Sequence, residues 1–301
     1  LSEKSVVVTG ANGFIGAAIC KFFSNSGVKV YAVVNESSEN IENLKNIVIV
    51  SAEKDNIRDI VGNDIVAEFY HLAWVGSAGP LRADENVQLS NIQNSCSAIR
   101  TCRELGCTRF IFASSIMEYE VNAVMDSELV PGINTIYSTA KLTADYMLRA
   151  IAGSIGVDYI RAVISNIYGP GETSPRMVNT SIRKMLNGEH CAFSEGKQIY
   201  DFIYIDDAAE AFCRIGEKGI SNRTYYIGSL NPKPLREFLI EMRDAIDPQI
   251  EIGLGEIPFS GVSLTYKEFD VNAVKNDTGF EPKVSFKEGI KKTAMWIKNN
   301  N

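Results

Sequence analysis

The stretch that most constrains this chain is Val6-Val7-Val8-Thr9-Gly10-Ala11-Asn12-Gly13-Phe14-Ile15-Gly16. An apolar β-branched run ends in a glycine-punctuated turn, and Ile15, Ile19, Phe22 and Phe23 then recur at helical spacing. The order is strand, tight loop, helix N-terminus. The three glycines have separable tasks. Gly10 lets the chain turn, Gly13 lets backbone approach a phosphate, and Gly16 lets the helix pack on the strand. The free N–H groups and positive dipole end of that helix favour a pyrophosphate. The spacing is GxxGxxG rather than GxGxxG, and alone it fits an ordinary glycine turn as well as a dinucleotide loop.

The rest of the chain decides between them. Strands are expected at 28–34, 47–50, 69–73 and 110–113, with helices near 55–62 and 85–105 between them. Strands alternating with helices mean a parallel sheet covered on both faces, which is a doubly wound α/β fold of the Rossmann type. Ligands then lie beyond the carboxyl ends of the strands, where Gly10–Gly13, Ala73-Trp74 and Ser114-Ser115 fall. Past residue 165 the alternation breaks at Gly169-Pro170-Gly171 and Pro175. Helices are expected at 177–187, 206–215, 234–245 and 286–300, and strands at 201–205 and 225–227. A dinucleotide-binding domain is expected over 1–165 plus roughly 201–228. A smaller α/β substrate-binding lobe, over roughly 166–200 and 229–301, closes the cleft.

A chain of 301 residues with 45% apolar and 22% charged residues has material for a full core. A net charge of −7 without a long basic run argues against nucleic acid or an anionic membrane as partner. No apolar stretch is long enough to span a bilayer, and the chain opens on a strand rather than on a signal-peptide pattern. Six cysteines form no CxxC pair and only two histidines accompany them, so no metal site is expected. Cys20, Cys96 and Cys102 fall in helical patterns and read as small packed thiols of a cytoplasmic protein.

Tyr137 and Lys141 stand four apart at the start of a helical pattern, hence on one face. A phenol is a poor acid–base group at neutral pH, and an ammonium one turn away favours the phenolate. YxxxK is common and most often structural. After the glycine loop and Ser114-Ser115 it becomes specific.

Taken in order, these motifs resemble the extended short-chain dehydrogenase/reductases, the nucleotide-sugar epimerase, dehydratase and ketoreductase group. The resemblance covers nearly the whole chain. It rests on 9–16, His71-Leu72-Ala73, Asn91, Ala113-Ser114-Ser115, Tyr137 with Lys141, Asn166-Ile167-Tyr168-Gly169-Pro170-Gly171, Asp201 to Asp207 and Asp277 to Pro282. It implies Tyr137 as proton donor and acceptor at the sugar hydroxyl, Lys141 as the residue that lowers its pKa and binds the nicotinamide ribose, and Ser115 as a hydroxyl on the same sugar oxygen. Gly10, Asn12, Gly13, Phe14, Ile15, Gly16, Asn35, Leu72, Ala73 and Asn91 would join Tyr137 and Lys141 in holding the cofactor. Ser115, Asn166 and Tyr200 would contact the substrate.

Several positions depart from the family's pattern. Where dehydratases of the group carry an Asp-Glu pair, this chain has Ile116-Met117, and neither can exchange a proton. Neither histidine matches the Cys/His pair of the fucose-synthase-like enzymes. His71 reads as a packed histidine with its ring hydrogen-bonded, and His190 as a solvated loop residue. The arginine that often grips the substrate diphosphate is replaced by Tyr200, leaving Arg176, Arg183, Lys184 or Lys197 as substitutes. An acid at the end of the second strand would hold the adenosine ribose of NAD, whereas arginine beside it favours NADP. Here Val34 takes the acid's place and Asn35 the arginine's, followed by Glu36-Ser37-Ser38. The balance tips slightly to NADP(H) over NAD(H).

The expected activity is therefore oxidoreduction at carbon 4 of a nucleotide-linked hexose, as a nucleotide-4-keto-6-deoxyhexose reductase. The alternative is a 4-epimerase with tightly bound NAD. A silent cofactor-sensing protein would have lost the tyrosine or the lysine, and both are present. By analogy with the family, helices at roughly 86–105 and 138–153 pair across a two-fold axis into a homodimer. Ile92, Ile99, Met147 and Ile151 are compatible with that pairing and equally with packing on the sheet.

Overall fold

A computed structural model describes residues 4–125, 130–259, 261, 263, 264, 266 and 269–300. The valines of the opening motif form β1 (Ser5–Thr9), and all five of its residues are buried. Successive side chains leave a strand by opposite faces. Val6 and Val8 enter one apolar cluster and Val7 enters another, so β1 needs helices on both sides. The chain continues through α1 (Phe14–Asn25), β2 (Lys29–Val34), β3 (Ile47–Ser51), α2 (Ile57–Val61) and β4 (Val66–His71). Then come α3 (Glu85–Glu104), β5 (Arg109–Ser115), α4 (Tyr119–Met125), α5 (Thr135–Ile155) and β6 (Asp158–Ile164). Asp84 starts α3 by accepting from the N–H groups of Asn86 and Val87.

The second half holds β7 (Asn166–Tyr168), α6 (Met177–Leu186), β8 (Cys191–Phe193), β9 (Ile199–Tyr200), β10 (Phe202–Tyr204) and α7 (Ile205–Lys218). It ends with β11 (Thr224–Ile227), β12 (Lys233–Pro234), α8 (Leu235–Ile246), β13 (Ile252–Leu254), α9 (Ala273–Thr278) and α10 (Phe286–Asn299). Seven strands make one parallel sheet in the order β3-β2-β1-β4-β5-β6-β11. The order reverses between β1 and β4, and that reversal opens a crevice at their carboxyl ends. The remaining strands pair two by two: β7 with β10 and β8 with β13 in parallel, β9 with β12 antiparallel. The strand expected at 201–205 is thus β10, and it pairs with β7 outside the main sheet.

The expected α/β doubly wound sheet is the one observed. β6 escapes the sequence pattern because Asp158 and Arg161 interrupt its apolar run. α1 and α7 cover one face of the sheet, α3 and α5 the other. Ile92 and Ile99 are buried on the sheet side of α3, which removes them from any surface a second copy could touch. Leu89 on α3 and Tyr146 and Met147 on α5 face outward instead. Cys20, Cys102, Cys107, Cys191 and Cys213 are buried free thiols, and Cys96 is half-buried. No helix of the described residues is long and apolar enough to cross a membrane.

α7 lies so close to β4 that a Cβ at Gly216 would stand 1.8 Å from the hydroxyl oxygen of Tyr70. Gly216→Ala should cost about 1–3 kcal/mol by overpacking. Tyr70→Phe in the same background should return only part of it, since ring carbons Cζ and Cε1 would still stand 2.5 and 2.9 Å from the new Cβ. Urea unfolding of the two variants checks this, and an unchanged midpoint in the single variant would contradict it.

Candidate active site

The glycine loop between β1 and α1 forms one wall of the crevice. Gly10 has φ +68°, a left-handed conformation that glycine adopts without strain. A Cβ there would lie 2.8 Å from the backbone nitrogen of Ala73, so loop and β4 end are in backbone contact. At Gly16 a Cβ would lie 2.1 Å from the Gly10 carbonyl oxygen. No side chain caps α1, whose N-cap is Gly13. The N–H groups of its first turn therefore remain for an anion in the crevice. Asn12 accepts from the Asn40 backbone N–H (2.9 Å), and Asn40 donates to the Asn12 carbonyl (2.8 Å). Asn40, which carried no sequence signal, so becomes part of the cleft lining.

His71 ties this wall to the sheet. Ser95 Oγ donates to the Asn91 carbonyl (2.8 Å) and hence accepts from His71 Nε2 (3.0 Å). That network assigns the proton to Nε2, leaving Nδ1 to accept from Thr9 Oγ1 (2.8 Å). Thr9 Oγ1 in turn accepts from the Ala73 N–H (3.3 Å). Burial, aided by the charge of Lys141, pushes His71 down to about 3. It is the packed histidine expected, with its ring hydrogen-bonded at both nitrogens. His190 is exposed and bonds Glu256 through Nε2 at 2.6 Å.

Ser115, Tyr137 and Lys141 line the same cleft as Gly10, Gly13 and Gly16, together with Leu72, Trp74 and Ser165. Ser115 comes from the last position of β5, and the other two from the first turns of α5. Lys141 donates to the Ala113 carbonyl (2.8 Å) and stands 3.7 Å from the centre of the Trp74 ring. Burial lowers it from 10.5 to about 7, against the opposing pull of Glu118. Burial likewise pushes Tyr137 above its ordinary value. A hydrogen bond from Ser115 and the charges of Arg82 and Arg176 act in the other direction. Arg82 lies 4.4 Å from the centre of the Tyr137 ring. The sequence pattern makes Lys141 the cation acting on the phenol. In the structure the charges that lower Tyr137 are instead those of Arg82 and Arg176, because buried Lys141 is itself depressed to about 7.

A second cavity adjoins this one, lined by Asn166, Glu172, Arg176 and Tyr200 among others. Asn166 spends its amide N–H on the Asp201 carbonyl (3.0 Å) and keeps its oxygen. Arg176 and Glu172 line both cavities and stand 3.6 Å apart. Arg183 and Lys184 line a different surface depression, and Lys197 pairs with Glu195. Asn35 is exposed at the end of β2, outside the cleft lining. Ala73 meets the glycine loop through its backbone. Asn91 is buried and turns its amide to Val75, accepting from its N–H (2.9 Å) and donating to its carbonyl (2.8 Å). It shapes the loop after β4 without lining the cleft.

Comparison with known proteins is decisive at one level. The sequence model of the NAD dependent epimerase/dehydratase family matches residues 6–228. The chain belongs to this family. Among curated members, the dTDP-glucose 4,6-dehydratase of Escherichia coli is 25% identical over 342 residues, covering 98% of this chain and 94% of that one. Among solved structures, the UDP-N-acetylglucosamine 4-epimerase of Methanobrevibacter ruminantium superposes over the full length of both chains with TM-score 0.83 at 23% identity. The UDP-glucuronic acid 4-epimerase of Bacillus cereus, in complex with NAD, covers 99% of each at TM-score 0.78 and 18% identity. The cleft fits the family's dinucleotide: Gly10, Gly13 and Gly16 line it, and so does the first turn of α1, which no side chain caps.

The depressed Lys141 has a thermodynamic signature. Between about 7 and 10.5 the unfolded chain holds this proton more tightly than the folded one. Stability from this group therefore rises with pH across that window, and the burial cost is felt in full below it. Lys141→Met removes the dependence. The wild-type advantage in unfolding free energy over that variant should grow by roughly 1.4 kcal/mol per pH unit above neutrality. Urea titrations at a series of pH values test it, and a flat difference would contradict it.

Proposed function

We propose that this member of the family is an NAD(P)-dependent oxidoreductase acting at carbon 4 of a nucleotide-linked hexose, in its finer form a nucleotide-4-keto-6-deoxyhexose reductase. The convergence of Ser115, Tyr137 and Lys141 in the cleft that the glycine loop lines carries this reading. A bound nicotinamide supplies hydride chemistry. Tyr137 moves the proton at the sugar oxygen. Ser115 accepts from the Met117 N–H (3.2 Å), which leaves its own proton free to point toward Tyr137 and that oxygen. Arg82 and Arg176 favour the phenolate against burial. Lys141, fixed by Ala113 and Trp74, holds ribose hydroxyls. Arg176 takes the diphosphate charge that Tyr200 cannot, because it alone of the four substitutes considered lines the site.

The elimination that names the E. coli relative is not proposed. Ile116 is buried in apolar surroundings and Met117 packs against the same cluster, so no proton carrier stands where elimination needs one. Val34 in place of a ribose-binding acid supports NADP(H). A second reading, a 4-epimerase that keeps NAD bound, is favoured by the family's NAD dependence and by the end-to-end likeness to two 4-epimerases. A homodimer through the outward face of α3 and α5 accompanies either reading, with Leu89, Tyr146 and Met147 at its centre.

Tyr137→Phe should lower turnover by about 10²–10⁴-fold while dinucleotide affinity stays within about twofold. Full activity in that variant would sink the assignment of Tyr137. Cofactor identity separates the two readings: protein purified without added nucleotide is denatured and its supernatant chromatographed. Stoichiometric NAD⁺ supports the epimerase, whereas an empty protein that prefers NADPH supports the reductase. Binding of neither dinucleotide would overturn both.

A further inference from the structure

Glu118 and Arg161 form a buried ion pair that the proton relay of Ser115, Tyr137 and Lys141 does not use. Glu118 is 1% exposed and Arg161 8%. Desolvating two charges commonly offsets their attraction, so such a pair is poor evidence for stability alone. Its location gives it another role.

Glu118 is the third residue of a single 3-10 turn, Ile116–Glu118, whose N-cap is Ser115. The two ends of the turn bond reciprocally. Ser115 Oγ accepts from the Met117 N–H, and Glu118 Oε1 accepts from the Ser115 N–H (3.1 Å) and from the Ser114 hydroxyl. Arg161, on the neighbouring strand β6, donates to Glu118 Oε2 and, through Nε, to Ser114 Oγ (3.1 Å). Asp145 on α5 lies 3.6 Å from Arg161 Nε. Tyr159 (2.8 Å) and Arg149 (3.0 Å) hold Asp145 in turn. Three donors, the Ser115 N–H, the Ser114 hydroxyl and Arg161, thus fix the Glu118 carboxylate against the turn that begins at Ser115.

We propose that Glu118, held by Arg161, is the positioning residue of Ser115, fixing the turn so that the Ser115 hydroxyl faces Tyr137 and the substrate oxygen. This rests on the roles proposed for Ser115 and Tyr137. The carboxylate also reaches the relay through space, raising both Tyr137 and Lys141. The other charged groups acting on Tyr137 are Arg82 and Arg176, and Lys141 acts on the neutral His71.

Two variants test this. Glu118→Gln keeps an acceptor for the Ser115 N–H and removes the charge. Glu118→Leu/Arg161→Met removes cap and charges together and leaves no unpaired guanidinium, a replacement that buried pairs commonly tolerate. Amide exchange at Ser115 and Met117 is read by NMR, and kcat, KM and pH–rate profiles with NAD(P) and nucleotide sugars. The double variant should exchange those two amides at least about tenfold faster while the sheet amides stay protected. Its kcat should fall by about a hundredfold at unchanged KM, the cost of a misplaced reacting group. Glu118→Gln should move the limbs of the pH profile to lower pH, because the charge that raises Tyr137 and Lys141 is gone. Native amide exchange and native kcat in the double variant overturn the proposal. Should that variant not fold, Glu118→Ala takes its place, and native exchange at those two amides with native kcat there overturns the proposal. A wild type inactive on every nucleotide sugar would sink the functional reading instead, and amide exchange would still decide the positioning role.

Discussion

The backbone contact between the glycine loop and the end of β4 is the constraint on which the rest depends. With no Cβ at Gly10 or Gly16, the loop lies against Ala73 on one side and α1 closes over it on the other. α1 consequently starts at the mouth of the crevice, its first-turn N–H groups directed where β1 and β4 part. A β-carbon at Gly10 would push the loop off the end of β4, and one at Gly16 would push α1 off the loop. One steric condition therefore serves fold and site together.

Around that contact the protein buries several titratable groups, and it handles each differently. His71 is kept neutral, with a hydrogen bond at each ring nitrogen, and links β1, β4 and α3. Lys141 is held between a carbonyl and an indole face, with a proton that it gives up near neutrality. Glu118 and Arg161 are buried as each other's ion-pair partner. Asp201, fully buried, accepts from Tyr226 (2.8 Å) and from the Ser229 backbone N–H (3.0 Å). That bond set joins the segment before β10 to the end of β11, and so ties the second cavity to the main sheet. Each buried charge bridges two or more elements, so the polar groups organise the site as much as the apolar core does.

Much of this was legible in the residues. The β-branched runs, the turn glycines and the helical spacing of Ile15, Ile19 and Phe23 depend on local chemistry, and the parallel sheet results from their alternation. The pairing of Tyr137 with Lys141 was legible because four residues is one helical turn. β6 was not, because its charged residues are satisfied by partners on β5, on α5 and in the turn after β5 that no window of sequence contains. The same holds for Arg82, which meets Tyr137 from the loop between β4 and α3. Asn91 illustrates the converse: its place in the pattern points to the cofactor, while its amide is spent on Val75.

The sequence by itself determined the fold class, the glycine loop and the tyrosine–lysine pair. Each is a property of residue type at fixed short spacing. Only the tertiary structure decided which charges act on Tyr137, which of Arg176, Arg183, Lys184 and Lys197 lines the cleft, and which groups surround the turn after Ser115. Those depend on distances between residues such as Ser115 and Arg161, or Arg82 and Tyr137, that lie far apart in the chain. Through-space electrostatics and burial depend on where the chain folds back upon itself, and local pattern carries no record of that.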